Sequence, residues 1–369
     1  MSSSEHLYSL ALRRCANIGD VNFKKVVAAS GSAENAWNSS KSRLKEIFGI
    51  SSVIVREIGQ AEHLRFAENE IKFCERNQIQ ILLRHQGDFP ALLDDCHDAP
   101  AILYQKGKIN APFQNLSVVG TRNITTYGKS FVEQLFSSLN GKNINSVSGL
   151  ALGVDTKVHE ESIKNNVPTI AVLAHGFHTL YPAKNRNLSE QILENQGALL
   201  TEFTSEDQPD REHFIQRNRI IAGISPQTVV VETAFGGGSV STVAFANSYN
   251  REVFALPGKI TDRYSQGCNQ LIFQNKASAV STISGLITEL GLDKTAENME
   301  SLFPKTEHLP KLSEEQNTIY QLIRNSPSVS LEDLEEQSNW PTHKILSLVL
   351  ELEIFGLVKA FSGRRFSIF

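Results

Sequence analysis

Between residues 116 and 256 the hydrophobic pattern repeats one unit: a short apolar run, a glycine or serine, then helical spacing. Leu116 to Val119 ends in Gly120-Thr121-Arg122, and a helix is predicted from Thr126 to Leu139. Asn143 to Val147 ends in Ser148-Gly149 and precedes a helix from Val154 to Lys164. Thr169 to Leu173 ends in His175-Gly176, with a helix over Leu188 to Asn195. Ala198 to Leu200 ends at Glu202 and precedes a helix from Ile215 to Ala222. Thr228 to Val231 leads into Gly236-Gly237-Gly238-Ser239 and a helix from Ser241 to Asn250; Glu252 to Ala255 is the last clear strand. Runs that are apolar throughout, rather than alternating, belong to strands covered on both faces. Their alternation with helices predicts a parallel, doubly wound α/β sheet. Ligands of such sheets bind outside the carboxyl ends of the strands, at a switch point.

The flanks read differently. Residues 1–70 are helical in pattern: Leu7, Leu10, Ala11 and Cys15 share one face, and Phe23, Val26 and Val27 share another. Asn17-Ile18-Gly19-Asp20 turns between them, and Phe48-Gly49-Ile50-Ser51-Ser52 precedes a helix from Val53 to Ala67, so a small bundle of the helix-hairpin-helix kind is expected. Residues 71–115 hold two short strands, 80–83 and 101–104. Residues 291–312 are polar and broken by Pro304 and Pro310, a linker pattern. The tail, 313–369, predicts helices over 314–324, 331–337 and 343–355 and then two strands, 357–361 and 365–369, around Ser362-Gly363-Arg364. Three helices before a β-hairpin is the winged-helix order. The tail holds five Lys/Arg against eight Asp/Glu, which disfavours a major-groove reader and favours a protein contact or a spacer.

Composition is that of a globular protein, with 40% hydrophobic and 21% charged residues. A net charge of −4 announces no polyanion partner, so any nucleic-acid site must be a local patch. Four cysteines without a CxxC pair fit a reducing compartment, and the opening MSSSEHLYSLALRRC lacks the apolar core of a signal peptide. No run approaches the roughly 20 apolar residues that span a bilayer. A cytoplasmic protein without a metal or cofactor is expected; Asp95, Cys96, His97 and Asp98 read as a solvated loop.

Several chemistries drop out. No G-x-G-x-x-G occurs, Gly128-Lys129-Ser130 lacks the upstream glycine of a phosphate-binding loop, and His159-Glu160 lacks the second histidine of a zinc protease. Asp155 and His159, or Glu202 and Glu232, have a spacing that acid–base work uses, although capping and internal hydrogen bonding use it more often. No nucleophile elbow is present. What remains is a series of strand ends rich in glycine and serine beside Arg122, Lys184, Arg186, Arg217, Arg219, Lys259 and Arg263. Helix N-termini there favour phosphates. Phe177, His178, Tyr181 and Phe214 add flat surfaces, and cations interleaved with stacking surfaces suit single-stranded nucleic acid. The alternative is that Arg217 and Arg219 pair with Glu202 and Glu232 and simply hold the sheet.

Six ordered segments resemble the DNA-processing protein A (DprA, or Smf) family. They are Val118 to Arg122 with Tyr127-Gly128, Ser148 to His159, Thr169 to Leu188, Arg217 to Ser225, Arg251 to Gly258 and Ser265 to Ile272. The resemblance covers about 80–290. It implies an extended Rossmann-like domain over 71–290, flanked by a helical domain over 1–70 and, after the linker, a winged-helix domain over 313–369. It also implies a non-enzymatic binder of single-stranded DNA with no catalytic residue. Such a protein protects incoming DNA in natural transformation, forms a homodimer and loads the RecA recombinase. By resemblance, DNA would be lined by Gly120, Thr121, Arg122, Ser148, Gly149, Phe177, Lys184, Arg186, Arg217, Asn218, Arg219, Gly237, Gly238, Ser239 and Lys259. Leu271, Ile272 and Val280 would belong to the dimer or partner surface. The chain departs from the family where Leu152 replaces an arginine, and at Ala174, His178 and Ile215. Two rival readings use the same fold. A phosphoribohydrolase needs P-G-G-x-G-T-x-x-E, but after Gly236-Gly237-Gly238-Ser239 this chain has Val243 and Ala244 and no glutamate. A mononucleotide sensor would need no dependence on DNA length.

Overall fold

The structure, a computed structural model, describes residues 4–48, 52–110, 112–292, 312–324, 329–355, 357–361 and 365–368. The chain forms two compact units, Met1–Asp293 and Lys294–Phe369. The expected linker, 291–312, lies outside the described residues except at its ends, as does the hairpin turn at 362–364.

The first unit is built on nine strands: β1 (Ile79–Leu83), β2 (Ile102–Gly107), β3 (Gln114–Val119), β4 (Ile144–Ser148), β5 (Thr169–Val172), β6 (Ala198–Thr201), β7 (Gln227–Val230), β8 (Glu252–Ala255) and β9 (Ser278–Ala279). They lie in the order β1-β2-β6-β5-β4-β3-β7-β8-β9. From β6 to β9 every pair is parallel; β2 is antiparallel to both β1 and β6. The chain therefore winds from β3 out to β6, returns, and winds the other way from β7 to β9. The reversal falls between β3 and β7, whose register pairs Val119 with Val230.

Apolar side chains alternate between the faces as the period of two requires. On one face Ile170, Val172 and Val230 join Ile220, Ile221, Val243 and Ala246 of the helices Arg211–Gly223 and Ser239–Ser248. On the other, Leu116, Val118, Val229 and Val231 meet Phe131, Leu135, Phe136 and Val158 of the helices Thr126–Leu139 and Val154–Lys164. Double coverage explains why these strands read as continuous apolar runs. The helices Gln266–Phe273 and Ile283–Glu289 and the two-residue β9 are additions to the sequence pattern. They are short, and their polar residues mask the period.

The described residues among the first 76 form the helices Ser4–Arg14, Asp20–Ser30, Ala33–Trp37, Lys41–Phe48, Ser52–Glu57 and Ala61–Arg76. The single helix expected over Val53 to Ala67 is broken at Gly59, whose φ of +95° is left-handed and ends the helix there. These helices share one apolar core with β1 and β2, in which Leu10, Phe23 and Val26 lie with Leu83, Ile102 and Tyr104. Asp20 ties them to the sheet: it accepts from the Ala101 N–H at 3.0 Å and pairs with Arg13 at 3.1 Å and Arg219 at 3.4 Å. Glu70 accepts from the Ser205 N–H at 2.9 Å.

The second unit has helices at Glu314–Arg324, Leu331–Ser338 and Thr342–Ile354 and a sheet ordered β10 (Val329–Ser330), β12 (Arg365–Ile368), β11 (Val358–Phe361). Ile319, Ile323, Leu334, Ile345, Leu352 and Val358 make its core. This is the winged-helix arrangement with a third short strand. Among the described residues no helix is long and apolar enough to cross a membrane.

Arg219 is the test of how the helical segment is held. Removing one partner of a buried ion pair leaves an uncompensated charge, so Arg219→Met should cost about 3–5 kcal/mol of unfolding free energy. Adding Glu202→Gln should recover part of that loss, because the orphaned carboxylate is gone. Denaturant midpoints of the two variants check both statements; an unchanged midpoint for Arg219→Met would remove this pair from the forces holding the unit together.

Candidate functional site

A cleft of about 820 Å³ opens where the winding reverses. Its walls are Gly120, Thr121, Arg122 and Asn123 after β3, and Thr233, Ala234 and Gly236–Gly238 after β7. The helix Arg211–Gly223 adds Arg211, Phe214, Ile215, Arg217 and Asn218, and the first turn of the helix Ser239–Ser248 adds Ser239, Ser241 and Thr242. The first N–H groups of a helix have no partner within it, and they face an anion with a partial positive charge behind them. Asn218 shapes this loop, since its side-chain amide donates to the Gly238 carbonyl at 3.3 Å and to Ser241 Oγ at 2.9 Å. Ser239 Oγ is buried without a hydrogen-bond partner among the described residues.

Arg122 is exposed at the mouth of the cleft, its guanidinium 5.1 Å from the centre of the Phe214 ring. Tyr181, also exposed, meets the same ring edge-on at 5.7 Å. Its backbone N–H donates at 3.0 Å to Nε2 of buried His175, which fixes the loop. A second hollow of about 580 Å³ shares Arg122 and Asn123 with the first and continues past Leu152, Lys129, Lys157 and Lys184. Lys157 is held by Glu133 at 2.6 Å and Glu161 at 2.8 Å. Lys129 and Lys184 are exposed and have no ion-pair partner among the described residues.

Arg217 forms the floor. It is buried, and its guanidinium donates to the carbonyls of Gly149, at 2.7 Å, and of Val172. A Cβ on Gly149 would lie 2.5 Å from the guanidinium, so only glycine leaves room for it. Burial lowers the Arg217 pKa to about 10, and the nearby Arg122 acts the same way against Asp155, so the side chain keeps its charge at neutral pH. Asp155 is pushed up by burial against the pull of Arg217 and of the N–H of Ala151, 3.3 Å away.

Other expected site residues lie elsewhere. Arg219 is not in the cleft: two residues along a helix is a turn of about 200°, so it points away from Arg217's side. It is buried against Glu202 and Asp20; burial works against its charge, but the two carboxylates outweigh this and raise its pKa. Of the pairings considered, Arg219 with Glu202 forms. Glu232 takes no arginine: it accepts from Thr125 N at 2.9 Å and Thr125 Oγ1 at 2.5 Å, at the start of the helix Thr126–Leu139. Ser148 is buried, its hydroxyl donating to the Val118 carbonyl at 2.7 Å, so with Gly149 it supports the floor rather than touching a ligand. Phe177 is half-buried against two apolar clusters, and the flat surfaces at the cleft are Phe214 and Tyr181. Arg186 and Lys259 are exposed but line neither hollow. Leu271 and Val280 are buried in the two cores and Ile272 is partly buried against one of them, while Ile260 and Phe273 are exposed. What could have separated these groups is helical phase, which puts Phe214, Arg217 and Asn218 on one side of their helix and Arg219 on the other.

Geometry thus defines an extended Rossmann-like protein with a cleft at the switch point lined by a helix N-terminus and the guanidiniums of Arg122 and Arg217. A family model described as DNA recombination-mediator protein A matches residues 80–291, and one described as the DprA winged helix domain matches 303–364. The chain is 30% identical to Protein Smf of Synechocystis over 99% of both chains, and 32% identical to Protein Smf of Escherichia coli over 80% of this chain and 79% of that one. Among solved structures, DNA processing protein A of Streptococcus pneumoniae superposes with a TM-score of 0.65 at 29% identity, covering 78% of this chain and 99% of that one. DNA processing protein A of Helicobacter pylori, described in a single-stranded DNA binding mode, does so at 0.52 and 26% identity, covering 58% of this chain and 95% of that one. The chain belongs to the DprA/Smf family of DNA-processing proteins in recombination.

His159 supplies a test of the floor independent of any ligand. It is buried, with Nδ1 2.7 Å from Thr169 Oγ1, and burial, aided by the Arg217 charge, lowers its pKa from 6.5 to about 3. Below pH 6.5 the unfolded chain takes up a proton that the folded chain refuses, so this histidine's contribution is full above 6.5 and declines toward about pH 3. The decline should approach about 1.4 kcal/mol per pH unit. His159→Gln should flatten that part of the profile in urea unfolding between neutral and mildly acidic pH; parallel profiles would contradict the assignment.

Proposed function

We propose that the switch-point cleft binds single-stranded DNA with little sequence preference. The observation that carries this is Arg122 stacked over Phe214, with Tyr181 at its edge, at the mouth of a cleft floored by Arg217 and the N-terminal turn of a helix. Phosphates take the guanidinium and N–H groups, and bases take the aromatic faces. Lys129 and Lys184 in the adjoining hollow extend the track for the backbone. The single-stranded DNA binding of the Helicobacter pylori relative supports the same reading. In this reading the chain performs no covalent chemistry. Asp155, Glu202 and Glu232 serve buried contacts, and the position of a hydrolase's glutamate holds aliphatic residues. Bound DNA is protected and handed to a RecA recombinase in recombination, including natural transformation.

We further propose a homodimer through the β8–β9 end of the sheet. Ile260 and Phe273, on the loop after β8 and the helix before β9, are 83% and 86% exposed.

Three outcomes follow. Binding of labelled single strands should strengthen with length and fall steeply with salt, because each neutralised phosphate releases counterions. Phe214→Ala should weaken it by about 1–3 kcal/mol, the contribution of stacking, with Arg122→Ala reducing the salt slope as well. Tight binding of a mononucleotide with no gain from length would overturn the reading in favour of a sensor or, if base is released, a hydrolase. Phe273→Glu should shift the sedimentation coefficient from dimer to monomer while leaving short-oligonucleotide binding per protomer intact.

A further inference from the structure

The third helix of the winged-helix unit, Thr342–Ile354, has two apolar faces where a single-faced surface helix needs one. Ile345, Leu348, Val349 and Leu352 are buried in the unit's core. Leu346, Leu350 and Ile354 are 40%, 57% and 75% exposed. They sit four residues apart, so they form a row within about 80° of the helix surface. In a winged helix that reads DNA this helix enters the major groove and needs cations and hydrogen-bond donors. Here the helix's one lysine, Lys344, is held 2.6 Å from Glu315 and lies 4.3 Å from the centre of the Trp340 ring. Residues 313–369 carry eight acidic and five basic side chains, and two of the acids, Glu351 and Glu353, are on this helix.

We propose that this row docks a basic amphipathic helical segment of a partner protein, with leucine-like side chains at helical spacing between lysine or arginine rims. Apolar complementarity alone would admit a second copy of the same unit. Charge does not: a second copy brings an acidic surface against an acidic surface, whereas basic rims complement it. Nucleic acid fails on both counts. The proposal is independent of the DNA-binding reading of the first unit, since no residue of the cleft takes part.

The experiment uses the full chain and a fluorescent synthetic helical peptide with leucines at helical spacing and lysines on both rims. Its twin carries glutamates in place of the lysines. The lysine peptide should bind, lose affinity as salt rises, and lose about tenfold or more in affinity to Leu350→Gln, as removal of a central apolar anchor does. The glutamate twin should not bind. Leu350 is exposed, so the variant should melt with wild type; Ile354→Gln repeats the test if it does not. Equal binding of the two peptides, or lysine-peptide binding indifferent to both variants, overturns the proposal. Self-association of the chain that Leu350→Gln abolishes assigns the row to a second copy instead, and duplex DNA binding lost in the same variant assigns it to nucleic acid.

Discussion

Two buried guanidiniums on one helix hold this molecule's layers in place. Burying a charge is costly unless every donor is satisfied, and the chain satisfies them in opposite directions. Arg217 gives its donors to the carbonyls at the ends of β4 and β5; Arg219 gives its own to Glu202 after β6 and to Asp20 in the N-terminal helices. The helix Arg211–Gly223 is thereby pinned between the sheet and the helical segment. Its position in turn sets where Phe214 and Asn218 stand in the cleft.

The cleft follows from topology before chemistry. The winding reverses between β3 and β7, so the loops after those strands part and leave a crevice. Into it come a helix N-terminus, the Ser239 hydroxyl and the charge of Arg217. The overall charge of −4 does not oppose this, because exposed acids more than a Debye length away are screened, while a charge in the floor of a cleft is screened far less. Leu152 lies in the adjoining hollow beside Lys129 and Lys184, so the positive character there rests on the lysines.

The alternation of apolar runs and helical spacing was enough to name the fold class. The helices Thr126–Leu139 and Val154–Lys164 and strand β8 fall where the pattern puts them, since doubly covered strands and one-faced helices leave plain periodic marks. The glycines after β3 and β7 that the sequence singles out do line the crevice, but the strand order that opens it there came from the tertiary structure. Less legible were the break at Gly59, where the apolar spacing continues across a left-handed turn, and the short helices at the sheet's far end, too brief to show a period.

Helical phase turns neighbours in sequence to opposite sides of an element, but a linear reading does not say which partners wait on each side. Arg217 and Arg219 are two positions apart and look like one site; helical geometry turns them apart, one to the cleft floor and one to an ion pair with residues 17 and 199 positions away. Phe177 and Phe214 are equally plausible stacking rings in sequence, yet Phe177 packs, half-buried, against two apolar clusters and Phe214 faces the cleft. Leu271 and Val280 likewise turn inward while Phe273 turns out. Sequence alone determined the repeating unit and the fold class, since these depend on local periodicity. Tertiary structure decided which charged and aromatic side chains are spent on burial and which remain for a ligand, because that depends on partners brought together from distant parts of the chain.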